Sequence, residues 1–460
     1  MKIYNTLTKR LEEIKSKNVN IYLCGVTVYD YSHIGHARTI IVFDVLRRYL
    51  KYKGYNVRFI QNFTDVDDKI INAAKEQGIK PLELANRFIE QYFKDFDRLN
   101  VLRADLYPRA TEHIDDIIKL IQGLIEKGYA YVTSKGVYFH VPKDEDYGKL
   151  SKKDVNELIA GARIEVDPEK KSPLDFALWK FSDEEPSWDS PWGRGRPGWH
   201  VECSAMSLKY LEHIDIHGGG EDLIFPHHEN EIAQSESYTC KEFARIWMHV
   251  GMLTIRGEKM SKSLKNIEPI NQALKKYGAN PIRLYCLSAH YRKQLDYDYG
   301  LLEQAVARWR DIEHAGFELK FADEEGEAYD AKEVASNAMK MFDDAMSNDL
   351  DTPNALHALN ELVKYINKHA SKETLNKSIA NAVKDEYNTM LSILGFKLLD
   401  VSKEEEEEIN RLIEERDRLR REKRFKEADA IRERLRMKGI ELIDHKKKTI
   451  WKKLDLGILY

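Results

Sequence analysis

The sequence predicts an α/β protein: an open parallel sheet, broken by an inserted segment and followed by an all-α region. Three observations predict it. Residues 18–23 (NVNIYL) and 55–63 (YNVRFIQNF) read as β-rich strands flanking one long helical stretch. The same strand–helix alternation resumes near Val201, and beyond Asn266 only helical periodicity remains. A strand–helix–strand unit of this kind pairs its strands in parallel with a right-handed crossover.

Taken in order, residues 37–53 carry Ile40, Ile41, Phe43, Val45, Leu46, Tyr49 and Leu50 at helical spacing, and Gly54 closes the run as a C′ glycine. After the second strand comes a turn at Thr64 and Asp65, then a helix start rich in acid, Asp67 and Asp68. Residues 81–100 and 109–127 are amphipathic helices, and 129–141 a hairpin turning at Ser134 to Gly136. Residues 105–190 interrupt the βα rhythm and read as the insertion, its end rich in loops (SPLDFALWK at 172–180, PWGRGRPGW at 191–199). The rhythm returns with a helix at 201–211, a strand at 214–217, a glycine turn, a helix after Pro226 and a strand at 244–250. Beyond 266 the helices are separated by a charged linker at 321–332, and the Glu run at 404–408 is a solvated helix start. The resulting division is 1–104 with 191–266, the insertion 105–190, and helical regions 267–325, 326–400 and 401–460.

Bulk properties narrow the function. A chain of 460 residues, 42% hydrophobic and 33% charged, has room for several domains. No apolar run approaches the roughly 18 residues of a membrane helix, and the N-terminus has no apolar signal core. Four cysteines in this length make no disulfide framework and point to a reducing, cytoplasmic setting. A net charge of -4 argues against indiscriminate nucleic-acid binding. Residues 411–460, however, hold 17 Lys and Arg against 10 Asp and Glu. Charged helices alone would account for that excess. Contacts from Arg418, Arg420, Arg421, Lys423 and Arg424 to phosphates would account for it equally, and would weaken as salt rises.

Two constellations carry chemistry. Cys24 sits at the carboxyl end of the first predicted strand, where open parallel sheets bind ligands. Cys203 and the cluster HHENE at 227–231 complete a possible metal set. His227 and Glu231 are four apart and share a helix face, whereas His228 is expected to point elsewhere. Two thiolates, an imidazole and a carboxylate suit Zn²⁺. Inert core cysteines beside an ordinary His–Glu pair fit the same spacing. The second constellation joins His33-Ile34-Gly35-His36, at a helix start, to Lys259-Met260-Ser261-Lys262-Ser263. A helix N-terminus offers free N–H groups and partial positive charge to a phosphate. Gly35 allows close backbone approach, and the two lysines can neutralise charge as pyrophosphate leaves. His217-Gly218-Gly219-Gly220-Glu221-Asp222 follows a strand and is either a plain turn or a backbone platform for adenosine, with Asp222 accepting from ribose hydroxyls.

With both signatures in place, the chain resembles the class I aminoacyl-tRNA synthetases. LCGVTVYDYSHIGHAR, NFTDVDDKI, SPLDFALWK, PGWHVECSAM, DIHGGGEDLIFPHHENEIAQSE and WMHVGML resemble the cysteinyl-tRNA synthetase family in particular. The resemblance implies a Rossmann-like catalytic domain with a connective insertion, a stem-contact region, a helical bundle, and a tRNA-reading segment from 401 onward. It implies zinc on Cys24, Cys203, His227 and Glu231, a cysteine pocket at Gly25, Thr64, Trp199 and His217, and nucleotide contacts at His33, His36 and Lys262. It further implies a monomer using L-cysteine, ATP with Mg²⁺, and tRNA(Cys). Lys265 stands where the family has glycine after its lysine signature, and the tail DHKKKTIWKK departs from the common turn.

On this reading, catalysis rests on positioning and charge stabilisation by His33, His36, Lys259 and Lys262. An apolar pocket separates cysteine from serine by only about 10–200-fold. Zinc prefers soft sulfur, and a preference of about 5.5 kcal/mol is enough for roughly 10⁴, so no editing site is expected. Two alternatives remain. A cysteine ligase of the mycothiol type would have no use for the basic tail, and a non-catalytic zinc-containing RNA-binding protein would leave both phosphate signatures idle.

Overall fold

The computed structural model describes residues 1–152, 168–255, 267–445 and 448–454, together with the backbone of 258–259. An antiparallel hairpin, β1 (Lys2–Asn5) and β2 (Arg10–Glu13), precedes β3 (Asn18–Leu23), a hairpin the sequence pattern did not announce. Helix α1 (Ile34–Tyr52) crosses to β4 (Asn56–Gln61). Helices α2 (Asp68–Gln77), α3 (Pro81–Arg98) and α4 (Ile114–Glu126) follow. A four-stranded antiparallel sheet is then built from β5 (Ala130–Val132), β6 (Gly136–Phe139), β7 (Phe176–Phe181) and β8 (Gly195–Pro197). Its last strand reaches past 190, because Trp179, Lys180 and Phe181 pair with residues 195–197.

The chain returns through α5 (Trp199–Tyr210), β9 (Ile214–Gly220), α6 (Glu229–Thr239) and β10 (Ala244–Val250). The central sheet runs β10-β9-β3-β4, every pair parallel. All four carboxyl ends therefore open on one edge, the edge at which open α/β sheets bind ligands. Helix α1 shares one core with the sheet and neighbouring helices, burying Ile41, Phe43, Val45, Leu46 and Leu50, worth roughly 1.5–3 kcal/mol for each such side chain.

The glycines after His217 do not form a turn. They continue β9, with Gly218, Gly219 and Gly220 in register with Met248, His249 and Val250 of β10. The reason is steric: a Cβ on Gly218 would stand 2.1 Å from the Phe43 ring of α1. Glycine here lets helix and strand touch.

A small sheet follows, β11 (Leu253–Ile255) with β12 (Glu258–Lys259), and β13 (Leu295–Asp296) on its other side. Helices α7 (Ile270–Tyr277), α8 (Ala279–Leu287), α9 (Tyr299–Lys320), α10 (Ala331–Ser347), α11 (Thr352–Ser371), α12 (Lys377–Leu394), α13 (Lys403–Arg421) and α14 (Phe425–Met437) make up the helical region. The Glu run does open a helix, with Ser402 and Glu405 forming a capping box at the start of α13. The region ends in a hairpin, β14 (Ile440–Asp444) and β15 (Thr449–Lys453), where the sequence had shown only helices. Trp451 and Leu442 pack that hairpin onto α13, and Arg416, itself buried, holds Asp444 at 2.9 Å. No helix among the described residues is long and apolar enough to cross a membrane.

Candidate metal centre and nucleotide site

Cys24 follows directly on β3, Cys203 lies inside α5, and His227 and Glu231 sit just before and within α6. Three separate elements thus bring the four donors together, all buried, with one ligand atom from each within 4.8 Å of every other. The two Sγ atoms are 3.7 Å apart and both cysteines are free. Tetrahedral zinc with Zn–S near 2.3 Å sets its sulfurs about 3.8 Å apart, so the spacing fits an ion. Glu231 Oε1 lies 3.1 Å from Cys24 Sγ and 3.0 Å from His227 Nε2.

The electrostatics fit as well. Burial pushes the Cys24 thiol well up, but its hydrogen bond to Cys203 draws that partner down to about 6. Burial would neutralise Glu231, yet the His217 and His227 imidazoles outweigh it and hold the carboxyl well below its usual range. Burial likewise disfavours a charged His227, while Glu231 and Cys203 raise it to about 10. Ionised Glu231 and Cys203 favour positive charge beside them, here the His227 proton, whose place a metal cation would take. Two thiols, an imidazole and a carboxylate are a donor set that suits a divalent metal ion with an affinity for sulfur.

Around the donors sits a second layer. His200 Nδ1 lies 3.0 Å from His227 Nδ1. Burial holds His200 neutral, and its contact with His227 Nδ1 leaves His227 Nε2 directed at Glu231 in the cluster. Trp199 stacks on the His227 ring at 4.3 Å. His217 Nε2 stands 3.0 Å from Glu231 Oε2 and 3.8 Å from Cys24 Sγ, between the rings of Tyr22 and Trp247. His228 does not point away as the spacing had implied. Its Nε2 is 3.9 Å from Glu231 Oε1, and its Nδ1 meets His249 at 2.7 Å. Residues three apart on a helix also share a face, and His228 and Glu231 are three apart.

Gly25 and Thr64 complete the floor. The Gly25 N–H donates to Asn62 Oδ1 at 2.9 Å, and a Cβ on Gly25 would fall 1.6 Å from the Asn62 carbonyl oxygen. Thr64 is buried and paired through its backbone with Val26 and Val28. Gly25 follows Cys24 directly, Trp199 and His217 touch His227 and Glu231, and Thr64 is tied to the loop after Cys24 through Val26 and Val28. Asn62, His200 and His249 were not singled out by the sequence. For His200 the signal was its place beside Trp199 in PGWHVEC.

The second site lies at the start of α1. His33 is the N-cap: its ring accepts from Gly35 N–H at 3.1 Å, and its own N–H meets His36 Nδ1 at 3.3 Å. The two rings stack at 3.7 Å, and a Cβ on Gly35 would sit 2.9 Å from the His33 ring. The helix thus presents paired imidazoles over its N-terminus, a ready anion site. Asp222 is exposed just past β9, with Oδ1 2.5 Å from where a Cβ of Gly220 would be. The Lys259 side chain, Lys262 and Lys265 lie outside the described residues. Cys286 is buried in α8 as a core residue should be, but Cys240 is exposed, capping α6 in a left-handed conformation.

Comparison with known proteins agrees along the chain. Residues 10–307 match the tRNA synthetases class I (C) catalytic domain, residues 341–399 the DALR domain, and residues 402–451 the cysteinyl-tRNA ligase anticodon binding domain. The cysteine–tRNA ligase of Thermodesulfovibrio yellowstonii is 50% identical, covering 98% of this chain and 99% of that protein. That of Thermococcus kodakarensis is 49% identical over 99% and 100%. Among solved structures, a Mycobacterium tuberculosis methionyl-tRNA synthetase in complex with methionyl-adenylate shares the fold, with a TM-score of 0.64 at 17% identity over 82% of this chain and 91% of that one. The chain belongs to the cysteine–tRNA ligase family of class I aminoacyl-tRNA synthetases.

Proposed function

We propose that this chain activates L-cysteine with ATP and transfers it to the terminal adenosine of tRNA(Cys), working as a cytoplasmic monomer with one zinc ion per chain and with Mg²⁺ accompanying ATP. The observation that carries the reading is the meeting of a buried Cys–Cys–His–Glu set with a His33–His36 helix terminus at one sheet edge. In the first step the cysteine carboxylate attacks the α-phosphorus and pyrophosphate leaves. In the second a ribose hydroxyl of the tRNA attacks the acyl carbon and AMP leaves.

Cys24, Cys203, His227 and Glu231 would hold the zinc, which supplies a soft Lewis acid that favours a thiolate over a hydroxyl. Trp199 and His217, which touch His227 and Glu231, would wall the cysteine pocket beside it, with Gly25 and Thr64 completing it. His33, Gly35 and His36 bind phosphate oxygens at the N-terminus of α1, joined by Lys259 and Lys262. Asp222 takes the ribose. No residue acts as covalent nucleophile; the chain orients the reactants and stabilises developing charge. With the insertion's sheet closing at Pro197, we assign 1–104 and 198–266 to the catalytic domain, 105–197 to the connective insertion, 267–325 to stem contact, 326–400 to the bundle and 401–460 to anticodon reading.

The family membership and the anticodon-domain match at 402–451 favour this reading over a ligase with an amino-sugar acceptor. ATP–pyrophosphate exchange tests it. Cysteine is expected to drive exchange and serine to fall at least about 10³-fold behind in kcat/KM, with activity lost on chelation. Comparable rates for the two amino acids would refute it.

A further inference from the structure

Arg38 lies on α1 two residues past His36 and is completely buried. No carboxylate pairs with it among the described residues. Instead its guanidinium is ringed by backbone carbonyls from two distant segments. Nη1 donates to Gly251 O at 2.7 Å and Met252 O at 3.1 Å; Nη2 donates to Lys293 O at 2.5 Å and His290 O at 3.3 Å. A buried charge is costly unless its hydrogen bonds are met, and here only Nε is left without a partner. An apolar side chain of equal length would fill the space without that cost, so packing alone does not explain an arginine.

What the fork joins is informative. Gly251 and Met252 lead directly into β11, and residues 290–293 lead into β13, which pairs with β11. The β11–β12 hairpin ends at Lys259, the first residue of the lysine signature. Gly251 is shaped for this junction: its N–H donates to Tyr291 O, and a Cβ would stand 2.5 Å from the Lys293 carbonyl oxygen that Arg38 binds. The segment at 268–270 is fastened to the same helix start by backbone alone. Ile34 N–H donates to Glu268 O at 3.1 Å, and Ile270 N–H donates to Ser32 O at 2.9 Å.

We propose that Arg38 is a positioning residue for adenylate formation, its guanidinium fixing the His33–His36 turn against the root of the β11–β12 hairpin so that the turn and the Lys259 backbone keep one spacing. This rests on the ATP-dependent reading above. The planar fork matters as much as the charge. A lysine could satisfy one or two of the four carbonyls but could not hold both segments in register.

The test compares Arg38→Lys with the unmodified protein in ATP–pyrophosphate exchange, alongside direct cysteine binding, zinc content and thermal melting. Displacement of reacting groups by about 1 Å costs on the order of 10²-fold in rate. The expected result is a fall of that order in kcat for exchange with a raised KM for ATP, while cysteine affinity and zinc content stay within about twofold. Gly251→Ala, which pushes on the same Lys293 carbonyl from the other side, should reproduce this split with Arg38 intact. Wild-type ATP kinetics in Arg38→Lys would overturn the proposal. So would loss of cysteine binding in step with ATP turnover, or failure of both variants to fold, since either would reduce Arg38 to a general stabiliser. Absence of cysteine-dependent exchange in the unmodified protein would instead sink the functional reading itself.

Discussion

The two halves of the site are built on opposite physical plans. The donor cluster is fully buried, and its polarity comes from side chains delivered by three elements: the end of β3, the middle of α5 and the start of α6. The turn at His33–His36 is half exposed, and its polarity comes from two stacked imidazoles over the N-terminus of a single helix. Burial strengthens electrostatics and fixes geometry, which suits selection of one atom, sulfur. Partial exposure suits a polyphosphate that must enter and leave with its cation. The difference predicts that damage to the cluster falls on amino-acid choice and metal content, whereas damage to the turn falls on ATP chemistry alone.

Cys203→Ser should give the largest effect. It removes a thiolate from a buried set whose other members still carry charge. We expect loss of stoichiometric zinc and at least about a 10³-fold fall in cysteine-dependent exchange, read by metal analysis beside the kinetic assay. Full metal with full activity would show the ligand set to be wrong. Next, His36→Ala should lower exchange by about 10²–10³-fold, the usual consequence of losing one donor to a developing charge, with zinc content unchanged. A loss of zinc in that variant would erase the distinction between the two plans. His200→Ala should be milder: freed from its 3.0 Å contact, His227 loses orientation, and zinc affinity should drop about 10–100-fold in competition with a chelator.

The smallest effect is expected far from both. Replacing Arg418, Arg420 and Arg421 together by Gln should leave exchange untouched but weaken tRNA binding and flatten its salt dependence, measured between low and moderate salt. These side chains also form exposed pairs, Arg418 with Glu422 and Arg420 with Asp444, worth little on their own. An unchanged salt slope would leave those arginines as plain helix surface.

Much of this was readable in the residues, for reasons that explain what was not. The βα core declared itself because β3, α1 and β4 each keep one strong period, and Gly54 and Asp67 mark their boundaries. The donor set was named by the resemblance to the synthetase family: Cys24 and Cys203 are 179 residues apart, and spacing alone fitted inert core cysteines as well. The glycine stretch misled because glycine signals a turn on local grounds, and only the approach of Phe43 from α1 makes it a strand. His228 was misplaced because the i,i+4 relation of His227 and Glu231 drew attention from the i,i+3 relation beside it. The closing hairpin was hidden because IELID and TIWKK are short, charged segments whose strand character comes from packing Trp451 and Leu442 onto α13. Arg38 carried no local signal at all; its carbonyl partners lie more than two hundred residues away.

The central claim is that substrate sulfur is chosen by direct contact with a metal held by Cys24, Cys203, His227 and Glu231. X-ray absorption at the zinc edge of the loaded protein, with and without cysteine, addresses it most directly. The account predicts two sulfur neighbours at about 2.3 Å before cysteine is added and three after it, with serine producing no change. A sulfur count unaltered by saturating cysteine would contradict it.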